Sequence, residues 1–136
     1  MPAGLIGGLL GAAFAGVAEV LVFIGLERPT TPSMRSLRIV AAALVAGQAV
    51  LGLVVAMLAA ALDGGSIPLL VEFASAGMLG LGSFGVALVY RGHATHGPYA
   101  DEVRARSRTI LQMALADAVG VLGAVVAILS LFLAEG

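Results

Sequence analysis

An acidic residue within an apolar stretch is the part of this sequence best suited to chemistry. Asp117 lies in MALADAVGVLG (113–123), eleven residues after Arg106, which is about 16 Å along a helix. An ionised Asp at that depth in a bilayer costs at least ~2.5–3.5 kcal/mol. We interpret Asp117 as a carboxyl group that takes up and releases a proton; the alternative is a structural acid hydrogen-bonded to a neighbouring helix.

A second acid, Glu19, also lies in an apolar stretch. It is ten residues before Pro29, and therefore about 15 Å from that polar segment in a helix. Two roles are open for it from its position alone. It is either a second proton site or a hydrogen-bond partner for Gln48, provided that the two side chains lie at the same depth.

The composition is that of a membrane protein. Hydrophobic residues make up 60% of the 136 residues and charged residues 11%, whereas a soluble domain is about 45–50% apolar and about 25% charged. This excludes a soluble enzyme domain. With no Cys and only two His, we expect no disulfide, no metal site and no cofactor. A net charge of −1 argues against nucleic-acid binding.

Four apolar stretches must position these side chains. Each has the roughly 20 residues that a helix needs to cross a bilayer, and none alternates as a barrel strand does. The stretches cover residues 3–26, 37–62, 67–90 and 109–134. The sequence therefore predicts an all-α integral membrane protein with four transmembrane helices. We expect two tandem hairpins, residues 1–64 and residues 65–136, of which the second carries Asp117.

The basic residues predict the orientation. All seven are Arg, and they lie in or beside the first and third connections between stretches: Arg28, Arg35, Arg38, Arg91, Arg104, Arg106 and Arg108. Positively charged loops stay in the cytoplasm. We therefore expect both Arg-bearing loops on the cytoplasmic side and both termini outside.

The two hairpins look like copies of one another. VLGLVVAMLAAAL (50–62) and VLGAVVAILSLFL (121–133), at an offset of 71, are identical at eight of thirteen positions. In this alignment Ala46 is the counterpart of Asp117, so only the second hairpin carries the acid. The alternative is chance similarity between Ala-, Val- and Leu-rich helices.

These features resemble the proteolipid, or c subunit, of rotary ATPases. In that family the ion-binding carboxylate of an outer helix is commonly followed six residues later by Gly, as Asp117 is by Gly123, and then by a run similar to AVVA (124–127). Glu27-Arg28-Pro29 resembles the family's Arg-Gln-Pro loop without its Gln, and residues 91–108 match the second loop poorly. AGQAVLGLVVA (46–56) resembles the second helix of the V-type members, which are fused duplicates with four helices and one carboxylate.

The resemblance implies a rotor. Identical copies would form a ring in the lipid bilayer of a cell membrane, which we expect to be prokaryotic. Asp117 would exchange its proton at a stator subunit of the a type, and the loops at residues 27–36 and 91–108 would seat the central stalk. The chain itself would not hydrolyse ATP.

The resemblance also bears on the ion. Sodium-carrying members supply a Gln from the inner helix and usually a hydroxyl beside the carboxylate, whereas here the Gln position falls on Ser83, and Ala118 follows the acid. Gln48 and Ser83 make a thin oxygen cage for a cation, so we expect H⁺ rather than Na⁺. We rank a structural or lumen-facing role for Glu19 slightly above an ion-carrying one.

Two other classes remain open. A small four-helix proton-coupled transporter of the multidrug type would use Glu19, although such a site usually has aromatic residues around a cationic substrate and this chain has no Trp. An accessory membrane subunit of a larger complex would explain the hydrophobicity, but neither the repeat nor Asp117.

Overall fold

A computed structural model describes residues 3–24, 31–62 and 69–135. These residues form four helices: α1 (Ala3–Phe23), α2 (Pro32–Ala61), α3 (Leu69–His96) and α4 (Glu102–Glu135). Each helix is long and apolar enough to cross a membrane. The predicted all-α class and the four apolar helices are therefore confirmed.

Three helices continue past the apolar stretches at one end of the bundle. α2 begins at Pro32, α3 runs on to His96 and α4 begins at Glu102. The first turns of α4 are rich in Arg, Ala and Glu, which are good helix formers. The polar segment predicted at residues 91–108 is thus mostly helical, and its connection is reduced to residues 97–101. In the first predicted loop, residues 32–36 belong to α2, whereas Glu27-Arg28-Pro29 lies outside the described residues. We call this end of the bundle the Arg end.

Side-chain caps fix where α2 and α4 start. The Thr31 hydroxyl accepts a hydrogen bond from the Met34 amide (3.2 Å), and Pro32 follows in the first turn. Asp101 Oδ1 accepts from the Arg104 amide (3.0 Å) in the same way. Both caps satisfy main-chain N–H groups that the first helical turn leaves without partners.

Small residues bring the helices close together. α1 packs along α2, α3 packs along α4, and α1 also packs along α3. A Cβ atom at Gly8 would lie 2.5 Å from the Gly52 carbonyl oxygen, and one at Gly82 would lie 2.7 Å from the Gly120 nitrogen. In the α1–α2 pair and in the α3–α4 pair, the helices therefore approach closely enough for their main chains to be in contact, as small residues allow in membrane helices.

Arg91 connects α3 to the end of α1. Its Nη1 donates to the carbonyl oxygens of Leu21 (2.8 Å) and Ile24 (2.6 Å). Carbonyls in the last turn of a helix have no partner within the helix, and a cation there also interacts favourably with the helix dipole. Arg91, expected from the sequence to belong to a polar loop, thus has a structural role at the Arg end.

The surface of the bundle is apolar. Large hydrophobic side chains point outward, among them Leu133 (80% exposed) and Met57 (72%), while the largest core cluster is rich in Ala and Val. A monomeric soluble protein does not expose contiguous apolar surface on this scale. The arrangement suits an integral membrane protein whose outer faces meet lipid or other apolar helices.

Candidate functional site

The site is a side-chain contact between α2 and α4. Gln48 Nε2 donates to Asp117 Oδ1 (2.6 Å) and to the main-chain oxygen of Asp117 (2.8 Å). Asp117 lies fifteen residues after the start of α4 at Glu102, or about 22 Å along the helix. The pair is therefore near the middle of the bundle, far from either polar end.

The main-chain contact fixes the orientation of the Gln48 amide. A carbonyl oxygen only accepts hydrogen bonds, so the group facing it must be the NH₂ group of Gln48. The same nitrogen then donates to Oδ1, which leaves Oδ2 as the carboxyl oxygen that can carry a proton. Gln48 itself is 1% exposed, and its Oε1 has no hydrogen-bond partner among the described residues.

Gly120 provides the space for this contact. A Cβ atom at position 120 would overlap the Gln48 amide. Gly120 lies three residues after Asp117, on the same side of α4. The sequence pattern pointed to Gly123 and not to Gly120, because only the neighbouring helix shows which glycine must lack a side chain. Gly123 instead packs against α3, where a Cβ would lie 2.6 Å from Met78 Cβ.

Asp117 lies at the margin of the bundle's interior. Its side chain is half-buried, whereas its neighbours Ala114 and Ala118 are exposed. The carboxyl group is therefore held by Gln48 on its inner side and is close to the outer surface of the bundle. A group in this position can be reached from outside without opening the helix packing.

Ser83 and Glu19 do not join the pair. The Ser83 hydroxyl is buried and donates to the Leu79 carbonyl within α3 (2.9 Å), and it makes no hydrogen bond to Asp117 in the part of the chain that the structure describes. Glu19 is likewise not bonded to Gln48. It lines a cavity of about 370 Å³ with Phe23, Arg38 and Ala46.

The cavity beside Glu19 contains a cation. Arg38 places its guanidinium carbon 5.2 Å from the centre of the Phe23 ring. Glu19 Oε2 and Arg38 Nε are both buried without a hydrogen-bond partner among the described residues. Ala46, the counterpart of Asp117 in the first hairpin, also lines this cavity. The first hairpin therefore has a cavity at the position where the second hairpin has an acid.

A third acid was missed by the sequence analysis. Glu72 is 5% exposed, and both carboxyl oxygens are buried without a hydrogen-bond partner among residues 3–24, 31–62 and 69–135. It lies in the first turn of α3, where an acid normally stabilises the helix terminus from the surface. The sequence signal that could have revealed it is its place inside the third apolar stretch, residues 67–90. In the fold α1 covers it at Gly7, where a Cβ would lie 3.3 Å from Glu72 Cβ.

The described residues offer no group of three His, Cys, Asp or Glu side chains that could hold a metal ion. The chemistry that the Gln48–Asp117 pair supports is the binding and release of a proton by a carboxyl group.

No known family model matches the chain, and no curated protein matches it.

Proposed function

We propose that this chain is the rotor-ring proteolipid of a V/A-type rotary ATPase, and that Asp117 carries the proton. The observation that supports this most is the Gln48–Asp117 hydrogen bond between α2 and α4, near the middle of the bundle. A carboxyl group at this depth is costly when ionised and cheap when protonated. It therefore binds a proton stably while facing lipid and gives it up only where water or a cation stabilises its charge.

The Gln48 amide suits both states of the carboxyl group. In the protonated state Oδ1 accepts from Nε2 and Oδ2 carries the proton, whereas in the ionised state the same N–H···O bond becomes charge-assisted and stronger. The side chain thus keeps its position through the cycle. At the stator, an arginine of the a-type subunit would stabilise the ionised form while the proton leaves. Reprotonation would then let the ring rotate and bring Asp117 back into contact with lipid.

The oxygen atoms near Asp117 favour H⁺ over Na⁺ as the transported ion. Gln48 presents its nitrogen rather than its oxygen to the carboxyl group, and the Ser83 hydroxyl donates within its own helix. Sodium should therefore not protect Asp117 from a carbodiimide, a reagent that attacks protonated buried carboxyl groups. Protection by millimolar sodium would argue for a cation cage instead.

In this proposal the partners take separate faces of the bundle. Neighbouring copies and lipid would cover the apolar outer surface, the stator would pass the Asp117 side of α4, and the central stalk would contact the Arg end at residues 31–36 and 97–101. Both termini would lie outside the cytoplasm, in agreement with the charge asymmetry of the sequence.

Particle symmetry tests the proposal. The tagged chain would be extracted from its native membrane in a mild detergent and imaged by electron microscopy, and carbodiimide labelling would be mapped by mass spectrometry in the same sample. We expect closed rings of identical subunits, labelled first at Asp117 and faster at lower pH. A monomer, a dimer or a one-to-one component of another complex would refute the rotor.

One observation favours a second candidate, a small proton-coupled transporter that uses Glu19. Glu19 lines the open cavity that also contains Arg38. The Arg38 guanidinium in the same cavity disfavours a cationic substrate, so this candidate ranks below the rotor. It predicts a dimer in detergent and preferential carbodiimide labelling of Glu19.

A further inference from the structure

A second polar cavity lies at the Arg end, between the last turns of α3 and the first turns of α4. Its volume is about 390 Å³. The side chains that could bind a ligand there are His93, His96, Arg108 and Gln112. The proposed proton cycle uses none of these four side chains, so a ligand bound in this cavity would have a role separate from that cycle.

Two groups hold His93 in place. Its Nδ1 lies 2.7 Å from the Thr109 hydroxyl, which also lies 3.0 Å from the Ala105 carbonyl oxygen. The Tyr99 ring stacks on the imidazole with 4.6 Å between ring centres, and its hydroxyl donates to the His93 carbonyl (3.0 Å). The ring is thus held from two sides.

A main-chain carbonyl fixes the tautomer of His96. Its Nδ1 lies 2.7 Å from the Gly92 carbonyl oxygen, which only accepts, so Nδ1 is the donor. Its Nε2 has no hydrogen-bond partner among the described residues. In the neutral form of His96, Nε2 is therefore an acceptor at the cavity.

The cavity offers both a cation and a hydrogen-bond acceptor. Arg108 lines the cavity, is exposed, and makes no ion pair within the described ranges. Its guanidinium suits an anion, whereas Nε2 of His96 suits a cation that donates hydrogen bonds.

We propose that this cavity binds the phosphoethanolamine headgroup of a membrane lipid. The phosphate pairs with the Arg108 guanidinium, which matches phosphate geometry, and accepts a hydrogen bond from the Gln112 amide. The primary ammonium donates to Nε2 of His96. The Arg end is where lipid headgroups lie if the four helices span the bilayer. The proposal does not depend on the rotor assignment.

Phosphatidylcholine is the matched control ligand, because it has the same phosphate but a quaternary ammonium without N–H donors. The delipidated full-length chain would be titrated with short-chain phosphatidylethanolamine, phosphatidylcholine and phosphatidylglycerol, with complexes counted by native mass spectrometry. We expect the ethanolamine lipid to bind on the order of tenfold more tightly than the choline lipid, the effect of losing charge-assisted hydrogen bonds. Equal binding of these two lipids, or tighter binding of the anionic glycerol lipid, would overturn the proposal.

Variants locate the site. Arg108→Gln and His96→Phe should each weaken binding of the ethanolamine lipid, and His96→Phe should also reduce its preference over the choline lipid. Arg104→Gln, a change to an exposed Arg outside the cavity, is the control. If Arg104→Gln weakens binding as much as Arg108→Gln, the lipid binds to the general positive charge and the cavity site is refuted.

Soluble phosphoethanolamine distinguishes the two sources of this headgroup. If it displaces the short-chain lipid, the headgroup alone is sufficient, and a free metabolite with that group is also a ligand. If only the lipid binds, the acyl chains contribute and the ligand is a bilayer component. Both results support the cavity chemistry, whereas binding of neither compound would refute it.

Discussion

Gln48 and Asp117 are 69 positions apart in the chain, and one amide nitrogen joins them through two hydrogen bonds. The bond to the main-chain oxygen of Asp117 orients the amide, and the bond to Oδ1 then holds the carboxyl group. Since the first bond does not depend on the protonation state of Asp117, the donor stays in place when the proton leaves. The group that positions the carboxyl is therefore separate from the group that exchanges the proton.

Asp117→Asn should abolish ion translocation while the protein still folds. The amide has a similar volume and can accept from Gln48, but it cannot exchange a proton. Proton uptake into proteoliposomes containing the purified native assembly measures the effect. Asp101→Asn, at the exposed cap of α4, is the control and should retain transport. Full transport by Asp117→Asn would contradict the proposed role of this carboxyl group.

Gly120→Ala should disrupt the Gln48–Asp117 contact while leaving the Asp117 side chain itself unaltered. The added methyl group would overlap the Gln48 amide, and overpacking of this kind costs about 1–3 kcal/mol. We expect the rate of carbodiimide labelling at Asp117 to change several-fold, because the carboxyl group loses its donor. Gly47→Ala is the matched control, since a Cβ at that position meets no atom within 4 Å. Equal effects of both changes would argue that Gly120 is not needed for the Gln48 contact.

Arg91→Gln should destabilise the Arg end of the bundle. It removes two hydrogen bonds from a charged donor to the last carbonyls of α1, each worth about 1.5–3 kcal/mol. Thermal unfolding in detergent should show a lower midpoint than for Arg104→Gln, in which the altered side chain is exposed. If the two variants unfold alike, the contact between α3 and α1 contributes little to stability.

Glu72→Gln should leave stability nearly unchanged, within about 1 kcal/mol. An unpaired, buried carboxyl group is expected to be protonated, and the amide replaces it with a similar shape and no charge. Glu72→Lys should unfold at a clearly lower temperature, because the ammonium group would be buried beside Gly7. A large loss of stability in Glu72→Gln would mean instead that the carboxylate is ionised and bound to a positive partner.

Glu19→Gln should retain most proton transport, in contrast to Asp117→Asn. The structure gives Glu19 no hydrogen bond to Gln48, so the Asp117 site remains intact when Glu19 is neutral. The comparison needs equal amounts of protein in the membrane, checked by quantitative blotting. If Glu19→Gln stops transport as completely as Asp117→Asn does, each chain has two essential acids.

The Arg end shows how local sequence information can mislead. The polar residues predicted that one helix ends near residue 90 and the next begins near residue 109. In the structure, α3 ends at His96 and α4 begins at Glu102. Polarity predicts where a helix leaves the membrane, but it does not end the helix. Ending it takes a cap or a helix-breaking residue. Here Gly97 and Pro98 follow the last residue of α3, and Asp101 then starts α4 through its contact with the Arg104 amide.

The sequence alone determined that the chain forms four apolar helices, because length and hydropathy are properties of each segment by itself. It also determined that Asp117 lies deep within the last helix, since depth follows from counting residues along an axis. Only the tertiary structure decided that Gln48 bonds to Asp117 rather than to Glu19. It likewise decided that the Ser83 hydroxyl donates to a carbonyl of its own helix, and that α1 buries Glu72. Those contacts depend on the rotation and crossing of helices distant in the chain, and apolar helices of nearly uniform composition carry little information about which faces will meet.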